Sequence, residues 1–159
     1  MRLSSLASGM LLTVALMLCG SPAIAGTSPV AGLPLRHNGN DLKVAWNVQS
    51  DRQTVVNGVI KNIQYIPARD FDVAVFLVDS DNRVVASNRD YPLPVPIVDH
   101  DILPFTVTMN RAAPESFRYV DFSIRYRTID ETGWWNSTFR YDTATGRETE
   151  VKSLYRDDW

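Results

Sequence analysis

The residues best able to move a proton stand together at Asp99-His100-Asp101. A histidine beside carboxylates can be oriented by them and its charged form stabilised, which is the chemistry of a general acid or base. The rest of a catalytic set is missing. Neighbouring residues of an extended chain project to opposite sides, so the three side chains do not converge on one point. The chain also has no Ser in a nucleophile-elbow motif, and its single cysteine, Cys19, lies near the start. Metal ligands are equally sparse. His37 and His100 are the only histidines, too few for a transition-metal site without cysteine. Asp79, Asp81 and Asn82 offer oxygens of the kind calcium takes, but in a pattern that a plain acidic turn explains as well. The residues predict no catalytic group, no bound metal and no cofactor.

A second chemistry is available to the aromatics gathered near the C-terminus, Trp134, Trp135, Phe139, Tyr141, Tyr155 and Trp159. Exposed rings at strand spacing anchor a protein partner or stack on sugars. Trp134 and Trp135 face opposite sides of any regular strand, so one is expected in the main core and the other at a contact surface. The expected partner surface is therefore centred on Trp134 or Trp135, with Tyr141, Tyr155 and Trp159 as neighbours.

The elements that must position these groups are strands. Leu42, Val44, Trp46 and Val48 alternate with more polar residues, as do Val56, Gly58 and Ile60, then Phe71, Val73, Val75 and Leu77. Phe105, Val107 and Met109, and Val120, Phe122, Ile124 and Tyr126, repeat the pattern. Such period-2 alternation marks strands with one buried face. Ala74, Phe76 and Val78 make the opposite face of the third run apolar too, as in a central strand. Asp79-Ser80-Asp81-Asn82 supplies a turn, with Asn82 suited to a left-handed conformation, and Val84–Ala86 returns as the other arm of a hairpin. Trp134–Tyr141 and Glu148–Leu154 flank a turn at Asp142–Gly146, where Gly146 can take positive φ. In Pro92-Leu93-Pro94-Val95-Pro96-Ile97 the alternate prolines delete donors along one edge only, which predicts a guarded edge strand. About seven to eight strands without a helical stripe predict an all-β, immunoglobulin-like antiparallel β-sandwich with a C-terminal hairpin extension.

Val56-x-Gly58-x-Ile60-x-Asn62, Val73-x-Val75-Phe76-Leu77-Val78-Asp79, Val84-Val85 and Phe105-x-Val107 resemble the FxLYD family of bacterial envelope proteins. The resemblance spans Leu42 to Arg127, with Val75 and Val78 where that family has aromatics and Asn82 where it has Gly. It implies a small immunoglobulin-like fold and an envelope location, and carries over no functional residue.

Arg2, the apolar Leu11–Leu18 and the small-x-small triplet Ala23-Ile24-Ala25 form a secretory signal, which predicts removal of residues 1–25. Residues 26–40, rich in Gly, Pro, Ser and Asn, read as a flexible lead, and 41–159 as one domain. The predicted mature chain contains no apolar run of the roughly 20 residues that a membrane helix needs. Loss of Arg2 takes the formal charge from −2 to −3, which disfavours binding to nucleic acid. A small outer-membrane barrel, suggested by the terminal Trp159, conflicts with strands apolar on both faces. The expectation is a periplasmic or secreted, non-enzymatic module that binds or scaffolds another envelope protein. A carbohydrate-binding module using the C-terminal aromatics is the alternative.

Overall fold

The computed structural model describes residues 33–92, 95–109, 112, 114–149 and 151. The signal-like segment 1–25, Leu93, Pro94, Tyr155 and Trp159 lie outside the described residues. Two antiparallel sheets face each other. The first is ordered β1 (Leu35–Asn38), β2 (Leu42–Ser50), β3 (Thr54–Asn62), β6 (Ile102–Met109). The second is ordered β5 (Val84–Asp90), β4 (Ala68–Val78), β7 (Tyr119–Thr128), β8 (Trp135–Asp142), β9 (Arg147–Thr149). With β1 and β9 set aside, β2-β3-β6 against β5-β4-β7-β8 reproduces the A-B-E and C′-C-F-G order of an immunoglobulin-like sandwich.

The alternating residues meet between the sheets as the sequence predicts. Val44, Trp46, Val56, Ile60, Val73, Val75, Leu77, Phe105, Val107, Phe122, Ile124 and Tyr126 are all buried in one core cluster. The aromatic centre is Trp46, whose ring lies 4.6 Å from Phe122, itself stacked at 4.8 Å on Phe139 of β8. The C-terminal hairpin is thus continuous with the sandwich, since β8 extends the β7 ladder and places Phe139 in the core. The turn residues also behave as their chemistry dictates, Asn82 and Gly146 adopting φ of 65° and 68°.

Gly58 stands opposite Trp46 on one side and Phe105 on the other. A Cβ placed there would lie 2.7 Å from the Ala45 carbonyl oxygen and 2.6 Å from Phe105 Cε1. Backbone on one side and a packed ring on the other leave no room to relax. Gly58→Ala is expected to destabilise the protein by about 1–3 kcal/mol through overpacking, read as a lower urea midpoint at unchanged slope. A midpoint equal to the parent's would show that the Phe105 ring can move aside.

Two expectations change. The lead predicted flexible over 26–40 contains a strand, because Leu35–Asn38 pairs with β2. His37 fixes it: the ring is buried, stacks on Phe139 at 3.9 Å, and its Nδ1 lies 3.0 Å from Glu148 Oε2. The predicted edge strand at 92–97 does not form among its described residues, where only Ile97 pairs, through a single bridge to Ala68. Ile97 enters the core as the chain crosses between sheets, and Asn62 Nδ2 donates 3.0 Å to its carbonyl. The edge of β6 is instead guarded by β5 side chains. Asp90 Oδ2 accepts the Thr106 N–H at 2.8 Å, and Asn88 Nδ2 donates to the Thr108 carbonyl at 2.6 Å.

Candidate functional site

The groups predicted to carry chemistry are dispersed. His100 sits on a turn rather than a strand, with φ of 68°, and is well exposed. Its Nδ1 approaches Asp99 Oδ1 to 2.5 Å without hydrogen-bond alignment, while Asp101 accepts the Val98 N–H. Asp99 and His100 meet because the backbone turns there, while Asp101 is engaged with the Val98 N–H, so the three side chains are not brought to one point. The oxygens of the acidic turn are engaged by protein: Asp79 Oδ1 accepts the Asp81 and Arg83 N–H groups at 2.8 Å, and Asn82 Oδ1 accepts from Arg140. Burial pushes the Tyr126 hydroxyl up to about 12, so it stays protonated at neutral pH.

Neither Trp134 nor Trp135 belongs to the main core, and the expected division between a core and a contact Trp is corrected. They are 49% and 44% exposed. Trp135 occupies the outermost rung of the β7–β8 ladder, opposite Tyr126, and its Nε1 donates to Glu131 Oε2 at 3.0 Å. Trp134 lies just ahead of β8. Tyr141 is the neighbour of neither: six residues along β8 place it about 20 Å from Trp135, where its ring packs edge-on against Trp46 at 5.4 Å.

What gathers around Trp134 is a cleft of about 530 Å³ between the ends of β4, β5, β7 and β8, lined by Asp70, Asp72, Arg89, Tyr91, Arg125 and Trp134, among others. Its floor follows from register. Asp72 on β4 stands opposite Arg125 on β7, both on the face turned away from the core. An irregularity between Arg69 and Asp72, with Asp70 at φ 55°, adds a second carboxylate beside it. Asp70 Oδ2 accepts from Arg127 Nε at 2.9 Å and from its Nη2 at 2.5 Å. Asp72 Oδ2 accepts from Arg89 Nη1 at 3.4 Å, and the same Nη1 donates to Tyr91 Oη at 3.1 Å.

The charges do not balance. Arg127 takes Asp70 and Arg89 takes Asp72, which leaves Arg125 without a carboxylate among the described residues. Its guanidinium lies 4.9 Å from the Trp134 ring centroid, with that of Arg127 at 5.2 Å. Cation–π contact holds the Arg125 fork in place without neutralising it. The cleft presents a positioned cation flanked by exposed aromatics. That is binding chemistry.

A second groove, of about 340 Å³, is lined by Val95, Pro96, Ile97, Asp101, Ile102, Leu103 and Pro104 and is mainly apolar. Sequence reasoning selected Trp134 but missed Arg125 and Tyr91. The signal for Arg125 was its outward position between the buried Ile124 and Tyr126.

No family model and no curated protein matches the chain. Solved structures similar to it include the GAE domain of GGA2p from Saccharomyces cerevisiae, at 13% identity and TM-score 0.46, covering 67% of this chain and 94% of that one. The yeast GGA1 GAE domain follows at 9% identity and 0.43, with coverages of 65% and 94%. A β-glucuronidase of Bacteroides uniformis is similar at 12% identity and 0.35, with 65% of this chain covering 13% of that one. At these scores the likenesses carry no argument about activity or partners, and the fold assignment rests on the sheet order of the chain itself. No helix among the described residues is long and apolar enough to cross a membrane.

Proposed function

We propose that this chain is an exported, non-enzymatic module of the bacterial envelope that binds or scaffolds another envelope protein through the cleft at Trp134. The observation that carries the reading is the positioned Arg125 guanidinium, lying over the ring of a half-exposed Trp134 and without a carboxylate among the described residues. Aromatic and arginine side chains in a pocket are the residue types that dominate binding energy at protein interfaces. Export and a periplasmic or secreted location rest on the signal-like residues 1–25, and kinship with the FxLYD family on the motif residues between Leu42 and Arg127. The non-enzymatic reading is supported by the place of His100, on an exposed turn and outside the cleft lining.

Crosslinking in intact cells, with mass spectrometry of what the protein captures, tests the proposal. Trp134→Ala is expected to keep the melting temperature nearly intact and to weaken capture by about 2 kcal/mol, roughly 30-fold. Trp135→Ala should leave both nearly unchanged, because its ring lies outside the cleft lining. Equal capture by parent and Trp134→Ala would remove the cleft from consideration. A carbohydrate ligand is the second reading, favoured by the exposed Tyr91 and Trp134 rings, and Trp134-dependent binding on a sugar array would favour it over a protein.

A further inference from the structure

We infer, building on the binding role proposed for the cleft, that the partner presents an acidic segment, whose side-chain carboxylate pairs with Arg125 while a neighbouring backbone N–H reaches Asp72. Two independent features of the floor point to this chemistry. Arg125 is a donor fork without an anion among the described residues. Asp72 is only 8% exposed, and its Oδ1 accepts no hydrogen bond there although Oδ2 holds Arg89. A buried carboxylate oxygen left unpaired is unfavourable, so a ligand supplying a donor at that point gains from it. A guanidinium held by ring contacts has lost little further freedom when a carboxylate docks on its planar fork. Because Asp72 and Arg125 are paired across the β4–β7 ladder, their positions lie within about 5.5 Å at the backbone. One short stretch of ligand must therefore offer an anion and a donor side by side, which an Asp or Glu residue does with its side chain and adjacent peptide N–H.

Acidic sugars carry carboxylates too, but they bind aromatic sites by laying a ring face on the aromatic. Here the rings already face guanidinium groups: Trp134 has Arg125 and Arg127 beside it, and Tyr91 has Arg89 at 6.0 Å. Charge and hydrogen bonding are what the floor of the cleft adds to its aromatic rim, and a protein segment matches that combination.

The test pans a displayed library of random decapeptides against the purified protein, with oligogalacturonate as the acidic-sugar probe. Enrichment of Asp and Glu is expected in the recovered peptides. Their affinity should fall at least tenfold when the acidic residue becomes Gln or when the protein carries Arg125→Gln, with no further loss when both changes are combined. Arg125→Lys, which keeps the charge but not the fork, should fall between. Unchanged melting temperatures of the two variants would exclude misfolding as the cause. Recovery of neutral or basic peptides, of none, or of acidic peptides indifferent to Arg125→Gln overturns the inference. So does Arg125-dependent binding of oligogalacturonate without acidic peptides. If capture in cells needs Trp134 but not Arg125, the acidic-segment inference falls alone; if it needs neither, the proposed function falls with it.

Discussion

Asp121→Ala is expected to destabilise the protein by about 3–5 kcal/mol, because it strands a buried guanidinium. Asp121 and Arg140 stand opposite each other across β7 and β8 and are 1% and 2% exposed. Arg140 Nε and Nη2 donate to the two carboxylate oxygens, each at 2.6 Å, in a bidentate pair. Its Nη1 donates to Asn82 Oδ1 at 2.5 Å, and the Tyr119 ring centroid lies 4.7 Å from the guanidinium carbon. Removing the carboxylate takes the bidentate counter-charge of Asp121 from a cation that has little solvent to replace it. Replacing both partners, as Asp121→Leu with Arg140→Met, is expected to recover most of the loss, since two apolar side chains avoid both desolvation penalties. Urea unfolding of the two single variants and the double variant measures this. A double variant as unstable as the singles would show that the pair also holds the β4–β5 turn, through Asn82.

Trp46→Ala is the second large loss, also about 3–5 kcal/mol. The ring is 1% exposed and contacts Phe122, Phe139 and Tyr141 from β7 and β8 while its backbone belongs to the other sheet. It is therefore a bolt between the layers. The space left would be walled by aromatics that are themselves packed, so the site cannot collapse cheaply. Loss of near-ultraviolet circular dichroism at a temperature where the parent is folded would report it. A destabilisation under 1 kcal/mol would mean that Phe122 and Phe139 fill the space.

The sandwich was legible because burial imposes period 2 on a strand, and each inward residue from Val44 through Tyr126 carries that imprint. Gly58 could be singled out for the same reason: within a strand its missing side chain signals close approach by a neighbour, here Phe105. The Asp121–Arg140 pair was not legible. Both residues occupy outward positions that alternation assigns to solvent, and only the register that sets them face to face makes burial tolerable. The cleft was half legible for a similar reason. Trp134 stands out by type, but Asp72, Arg89, Tyr91 and Arg125 come from separate strands and a crossover, and meet only when β4 lies between β5 and β7. Trp135 misled because a strand-end position escapes the two-sided logic that holds in the middle of a sheet.

A photocrosslinking benzoyl-phenylalanine placed at Tyr91 probes the binding role most directly, since it keeps an aromatic ring in the cleft lining. The control is the same residue at Gln49, exposed on the opposite sheet. Illumination of intact cells should give one discrete crosslinked species from position 91, absent from position 49 and lost when Trp134→Ala is added. Equal crosslinking from both positions, or a species from position 91 that survives Trp134→Ala, would contradict a partner seated in the cleft.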